Sequence, residues 1–198
     1  MLKLLPPATR AIIVATVAVF LLQQLFPGPA IYKLALWPVQ TPLFAPYQLI
    51  TYAFVHGGFM HIFFNMFALF MFGRALEEVW GSRRFLVYYF ASVLAAGITQ
   101  LIVTTLTDTA YRTEGASGGV FGVLLAFAMF FPRQRIMLLF PPIPMPAWVF
   151  VTLYGIAELV MGVLGTQEGV AHFAHLGGML GGALVIGYWR ATGKLRRP

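Results

Sequence analysis

The sequence predicts an all-α membrane protein, a bundle of six transmembrane helices with both termini in the cytoplasm. Three observations predict it. Hydrophobic residues fill 60% of the 198 positions and charged residues only 10%, against about 25% charged in soluble domains. The mean hydropathy is +0.82. The apolar residues gather into six runs, and Lys and Arg gather between alternate runs. There is no Cys, which excludes disulfides and Cys-ligated metals. The net charge of +7 invites a nucleic-acid surface. Cytoplasmic loop charge accounts for it once the runs are placed, so no nucleic-acid partner is expected.

A spanning helix needs about 20 predominantly apolar residues. The first run, 11–26, is too long for the core of a signal peptide and lacks a small-residue cleavage site before Pro27, so it is a span. Residues 27–57 form a long connection holding Pro27, Pro29, Pro38, Pro42 and Pro46 with Tyr32, Trp37, Tyr47 and Tyr52. Amphipathic aromatics favour the headgroup layer, which predicts an outer loop lying in the interface. Loops of this length are uncommon and often functional. The second run, 58–79, and the third, 84–106, flank a turn where Glu77 and Glu78 stand near Arg74, Arg83 and Arg84, a pattern that predicts an inner-face ion-pair cluster. The fourth, 117–131, is short for a full span, so its start is expected below the membrane surface. Backbone there is tolerated only when buried in protein or lining a wet cavity. Pro141, Pro142, Pro144 and Pro146 break the next connection. The fifth run covers 147–164 and the sixth 170–188. No internal repeat is visible, so residues 1–198 are expected to form a single transmembrane domain without a soluble accessory domain.

The basic residues orient the bundle. Lys3 and Arg10 precede the first run; Arg133 and Arg135 follow the fourth; Arg190, Lys194, Arg196 and Arg197 follow the sixth. Only Lys33 and Arg112 fall on the opposite side. The positive-inside rule then places both termini in the cytoplasm. The second, fourth and sixth spans all begin on the outer face. His61 with Asn65, Ser117, and His175 consequently lie at similar depths.

Ser117 lies in Gly115-Ala116-Ser117-Gly118-Gly119. Such a stretch serves helix packing, or it exposes a nucleophile and its amide to a closely approaching substrate. A serine nucleophile needs a base within hydrogen-bond reach. His61 and Asn65 are four apart and share a helix face. They are either interhelical hydrogen-bond glue or donors aimed at a developing oxyanion. In Ala174-His175-Leu176-Gly177-Gly178, the pairs Gly177/Gly181 and Gly178/Gly182 allow close approach of a neighbouring helix. If that neighbour is the fourth span, His175 is carried next to Ser117, and histidine is the usual general base near neutral pH. His172 reads as a satisfied structural histidine, and His56 as a hydrogen-bonder holding the loop. Glu158 could orient a histidine or line a cavity; the preferred reading is a water-facing carboxylate near the outer end. No His-Glu-x-x-His occurs, which argues against a zinc peptidase. No pair of intramembrane aspartates exists for an aspartyl mechanism. No metal and no cofactor are expected.

The chain resembles the rhomboid family of intramembrane serine proteases over about residues 46–187. The resemblance rests on four motifs in order: His56-x4-His61-x3-Asn65, Glu77-x3-Gly81-Ser82-Arg83-Arg84, Gly115-Ala116-Ser117-Gly118, and Ala174-His175-Leu176-Gly177-Gly178 with Gly182. It implies a rhomboid-like bundle and a Ser–His dyad without a carboxylate third member. Ser117 would be the nucleophile and His175 the base. His61, Asn65 and the Ser117 amide would hold the oxyanion, with Gly115, Gly118, Gly178 and Gly182 packing the helices near the site. Where some members carry a tyrosine packed on the catalytic histidine, this chain has Phe121, which keeps a ring and loses a hydroxyl. The implied partners are transmembrane protein substrates, cleaved near the outer leaflet, and membrane lipid. The presence of both Ser117 and His175 argues against an inactive binding protein, and the scarcity of charged residues at the midplane argues against a transporter. The absence of a targeting peptide points to a prokaryotic inner membrane.

Overall fold

The computed structural model describes residues 5–26, 28–137, 142–165 and 171–195. Lys3, Pro27, Pro141, Arg196, Arg197 and positions 166–169 of the short loop before the last helix lie outside the described residues. Six long helices follow the six apolar runs: α1 (Pro7–Leu25), α2 (Phe59–Trp80), α3 (Ser82–Leu106), α4 (Ser117–Phe130), α5 (Ala147–Leu164) and α6 (His172–Ala191). Among the described residues, α1, α2, α3 and α5 are long and apolar enough to cross a membrane. Helix α4 has only 14 residues, and α6 is diluted by glycines and two histidines.

The outward faces are greasy. Leu21, Leu22 and Leu25 of α1, and Leu153, Ile156, Val163 and Leu164 of α5, are all exposed. Apolar helices with such faces suit lipid, where the backbone satisfies itself and the side chains meet hydrocarbon. The interior is built around α4, of which nearly every residue from Gly118 to Phe130 is buried.

Small residues bring α3, α4 and α6 together: Gly177, Gly181 and Gly182 of α6 face α3, and Gly178 faces α4. Gly177 and Gly181 face Thr99 and Ala95 of α3. Gly178 lies against the Gly118 backbone of α4, where a Cβ would overlap the carbonyl. Gly182 faces the Tyr88 hydroxyl of α3, which donates to the Gly122 carbonyl at 2.7 Å. This is close packing by small residues, the main source of helix association in a solvent as apolar as the side chains.

Two expectations from the sequence need correction here. The inner-face ion-pair cluster reduces to Arg74 with Glu78 at 2.8 Å. Glu77 is only 2% exposed. It accepts from the amides of Ala8 (2.8 Å) and Thr9 (2.7 Å) and from the hydroxyls of Thr9 (2.7 Å) and Ser82 (2.6 Å). First-turn amides have no intrahelical acceptor, and the positive end of the helix favours a carboxylate, so Glu77 caps α1 rather than pairing with arginine. Second, the long connection between α1 and α2, expected as an outer loop in the interface, packs partly into the bundle. Tyr47 is exposed, but Tyr52 is buried, and its hydroxyl donates to the Val93 carbonyl of α3 at 2.7 Å. Buried Gln48 stitches the loop's backbone, donating to the carbonyls of Lys33 (3.0 Å) and Leu43 (2.8 Å) and accepting from the amides of Trp37 and Ala45 (both 3.2 Å). Backbone at this depth must find partners within the protein.

Two local features were not foreseen. Helix α2 contains a π turn over Leu69–Gly73. Strands β1 (Arg135–Met137) and β2 (Pro144–Pro146) pair antiparallel, with Ile136 opposite Met145, in the proline-rich connection.

Candidate active site

The turn that delivers Ser117 is held by the long connection between α1 and α2. Leu36 and Thr113 exchange backbone hydrogen bonds of 2.9 and 2.8 Å, and the Gly115 amide donates to the Tyr52 carbonyl at 2.9 Å. The Ala116 amide donates to His56 Nε2 at 3.3 Å. His56 therefore carries no proton on Nε2, while its Nδ1 faces the Phe54 carbonyl at 3.4 Å. It lies in the loop ahead of α2, and burial, aided by nearby His61, pushes its pKa down to about 4. Gln23 of α1 braces its backbone from both sides, at 3.2 and 3.1 Å. Gly115 has φ +120°, a conformation L side chains rarely adopt. A Cβ there would stand 2.6 Å from the His61 ring. Glycine is thus required twice, for the turn and for the imidazole beside it.

Helix α4 begins at Ser117, and α6 places His175 opposite it. His175 Nε2 lies 2.8 Å from Ser117 Oγ. The Phe121 ring stacks on the imidazole at 4.3 Å with 7° between planes, and Tyr154 of α5 packs on Phe121 at 4.8 Å. On α2, His61 and Asn65 face the same cavity of ≈ 1370 Å³ that Ser117 and His175 line. The Asn65 side-chain amide donates to the His61 carbonyl at 2.9 Å. The His61 and His56 rings meet edge to face at 4.9 Å. The structure therefore brings Ser117, His175, His61 and Asn65 to one cavity. Gly115 and Gly118 line it too, while Gly178 sets the α4–α6 spacing and Gly182 the contact with α3.

Glu158 departs from its expected position. It is 3% exposed, not water-facing. Its Oε2 accepts from His175 Nδ1 at 2.8 Å and from His172 Nδ1 at 2.7 Å. The physical reason is the orientation of α5, whose buried residues Ala147, Val151 and Glu158 turn one face inward. A carboxylate carried inside on that face needs charge-matched donors, and His172 and His175, three apart on one face of α6, supply them. Two signals in the sequence pointed this way. An ionisable residue within an apolar span is a functional candidate by default, and the i, i+3 histidines are a matched pair of donors. The ligand atoms of Glu158, His172 and His175 lie within 4.8 Å of one another. Two tetrahedral zinc ligands at about 2.0–2.1 Å from the metal stand about 3.3 Å apart. The 2.7 and 2.8 Å spacings found here fit shared protons instead.

A hydroxyl facing an imidazole, beside glycine amides and two further polar side chains, is an arrangement suited to nucleophilic chemistry. Residues 44–191 match the rhomboid domain family model. The chain belongs to the rhomboid family. Among its rhomboid relatives, the mitochondrial rhomboid protein 1 of Saccharomyces cerevisiae is 35% identical over 139 residues, covering 69% of this chain and 40% of that protein. The putative rhomboid protease YdcA of Bacillus subtilis is 31% identical over 139 residues, covering 70% of this chain and 65% of the relative. The rhomboid protease GluP of the same organism is 32% identical over 136 residues, 69% of this chain and 24% of that protein. The chain thus spans less than two thirds of the length of these rhomboid relatives. Family and apolar helices together make it an integral membrane protein.

Proposed function

We propose that this rhomboid protein is an intramembrane serine endopeptidase that hydrolyses peptide bonds of transmembrane substrates near the outer leaflet. The observation that carries the proposal is the 2.8 Å contact of Ser117 Oγ with His175 Nε2 inside a shared cavity. All six helices act as spans in this proposal, with both termini cytoplasmic. The shortness of α4 puts its start below the outer surface, within a cavity that can hold the water of hydrolysis. A prokaryotic inner membrane is the proposed location, supported by the Bacillus relatives; the yeast relative is mitochondrial.

In the proposed mechanism His175 Nε2 takes the Ser117 proton as Oγ attacks the scissile carbonyl carbon. The C=O π pair moves onto oxygen, and His61, Asn65 and the Ser117 amide donate to that oxyanion. One proton of the Asn65 amide goes to the His61 carbonyl, and its second proton is the donor in this mechanism. Collapse re-forms the carbonyl, breaks the C–N bond, and passes the proton from His175 to the leaving amine. Water then repeats the sequence on the acyl-enzyme. A helical substrate hides its scissile carbonyl in a hydrogen bond, so it must unwind locally before attack. In this proposal the long connection before α2 and helix α5 control access.

The test is cleavage of a single-span reporter by the purified protein in liposomes. Wild type cleaves it and Ser117→Ala does not. Equal cleavage by both proteins would remove Ser117 from the chemistry.

A further inference from the structure

We infer that Glu158 is the positioning residue of the site, converting the Ser117–His175 pair into a Ser–His–Glu relay with His172 as its anchor. This assignment rests on the protease proposal above and goes beyond the dyad that the family resemblance implies.

The geometry is continuous. Ser117 Oγ lies 2.8 Å from His175 Nε2, His175 Nδ1 lies 2.8 Å from Glu158 Oε2, and the same oxygen lies 2.7 Å from His172 Nδ1. An imidazole that donates Nδ1–H to a carboxylate keeps its lone pair on Nε2, where the Ser117 proton must go. With the other tautomer, Nε2–H would face the hydroxyl and no base would be present. When the Ser117 proton moves to Nε2 the ring becomes a cation. Its Nδ1–H stays on nitrogen, and the adjacent carboxylate stabilises the new charge without taking the proton.

Three features indicate that this contact does more than tie two helices. Phe121 lies flat on His175, so it fixes the plane of the ring but offers no hydrogen bond to choose a tautomer or stop in-plane rotation. Glu158 supplies that missing restraint. The side chain reaches from α5, so a second helix sets the base independently of the backbone that carries it. His172 donates to the same oxygen, so the carboxylate retains a charge-compatible partner in an apolar interior while the His175 ring turns over through the cycle.

The experiment compares Glu158→Gln, Glu158→Asp and His172→Gln with wild type and Ser117→Ala. It reads kcat and KM separately on the single-span reporter, the rate of fluorophosphonate labelling of Ser117, and the melting temperature in detergent. Glu158→Gln should lower kcat and labelling by about 100-fold or more, with KM within about 3-fold of wild type, because charge and tautomer control are lost in the transition state. Glu158→Asp keeps the charge at a longer reach and should recover part of that loss, remaining about 10-fold below wild type. His172→Gln, which leaves the Glu158–His175 bond in place, should fall by less than about 10-fold. Where the Gln variant does not fold, Glu158→Asp decides, and a wild-type kcat in it overturns the relay. A Glu158→Gln protein that keeps kcat and loses only melting temperature or KM also overturns it, leaving Glu158 a structural tie. Chelator-sensitive activity that zinc restores overturns it in favour of a metal on these three side chains. If no variant and no wild-type preparation shows Ser117-dependent cleavage, it is the protease proposal that fails.

Discussion

Two carboxylates are buried in this bundle, Glu77 near the C-terminal end of α2 and Glu158 on α5. They are 2% and 3% exposed, respectively, and burial does not distinguish them. Their donors do. Glu77 accepts from two backbone amides and two hydroxyls, groups that keep their protons at any physiological pH. Glu158 accepts from two imidazoles, and one of them, His175, also faces the Ser117 hydroxyl. The first surroundings join α1, α2 and the start of α3. The second lie beside the proposed nucleophile. A buried acid is therefore read from its partners: non-titrating donors indicate architecture, titrating donors next to a nucleophile indicate chemistry.

The contrast can be broken most severely at its active end. Ser117→Ala and His175→Ala should each abolish reporter cleavage while the protein stays folded. The double variant should be scarcely worse than either single one, because the two act as a unit. Additive losses, measured on the three proteins side by side, would separate the two side chains into independent roles.

Next in size is a crossed comparison. Glu158→Gln should lower kcat by about 100-fold with the melting temperature nearly kept. Glu77→Gln should do the reverse, destabilising by roughly 3 kcal/mol through its unmet buried donors, with kcat of the folded fraction unchanged. If both variants lose kcat equally, or both lose only stability, the distinction by donors is void.

Asn65→Ala sharpens the active side. One proton of its amide donates to the His61 carbonyl at 2.9 Å, and the second is the oxyanion donor in the proposal. A fall in kcat of about 10-fold, at the low end for a lone donor, with KM little changed, is expected. A rise in KM alone, from steady-state kinetics, would instead mark Asn65 as part of substrate binding.

The smallest effect concerns His56, an imidazole that titrates but is held neutral. Its folded pKa is pushed down to about 4 by burial, against 6.5 for an ordinary histidine. The unfolded chain takes up a proton first as pH falls, so the stabilising contribution is complete above pH 6.5 and is lost toward pH 4. The drop from 6.5 to about 4 corresponds to roughly 3 kcal/mol. Protonation also removes the acceptor for the Ala116 amide. Melting temperatures taken from pH 7 down to pH 4 should fall in wild type and fall less in His56→Gln; identical slopes would release His56 from this role.

Much of this was legible in the sequence. Helix positions follow from apolar runs because lipid imposes their length, and the observed helices start and stop within a few residues of those runs. The arginines and lysines led to the expectation of one level for His61, Asn65, Ser117 and His175, and these four residues line one cavity. What stayed hidden was direction. Helix α5 is apolar on nearly every side, so its hydropathy carries little record of which face turns inward, and Glu158 was expected to face water. Glu77 was hidden differently. Arginines stand beside it in sequence, but three of its four donors come from α1, 68 and 69 residues away. Tyr52 followed the same pattern, an aromatic that suits an interface but whose hydroxyl is required by a carbonyl of α3.

The central claim is that Ser117 is a nucleophile activated by His175. Mass spectrometry of the intact protein after fluorophosphonate treatment tests it most directly. One adduct on Ser117, absent in His175→Ala and accompanied by loss of reporter cleavage in step with labelling, is the predicted result. An unlabelled Ser117 in a preparation that cleaves the reporter would contradict it.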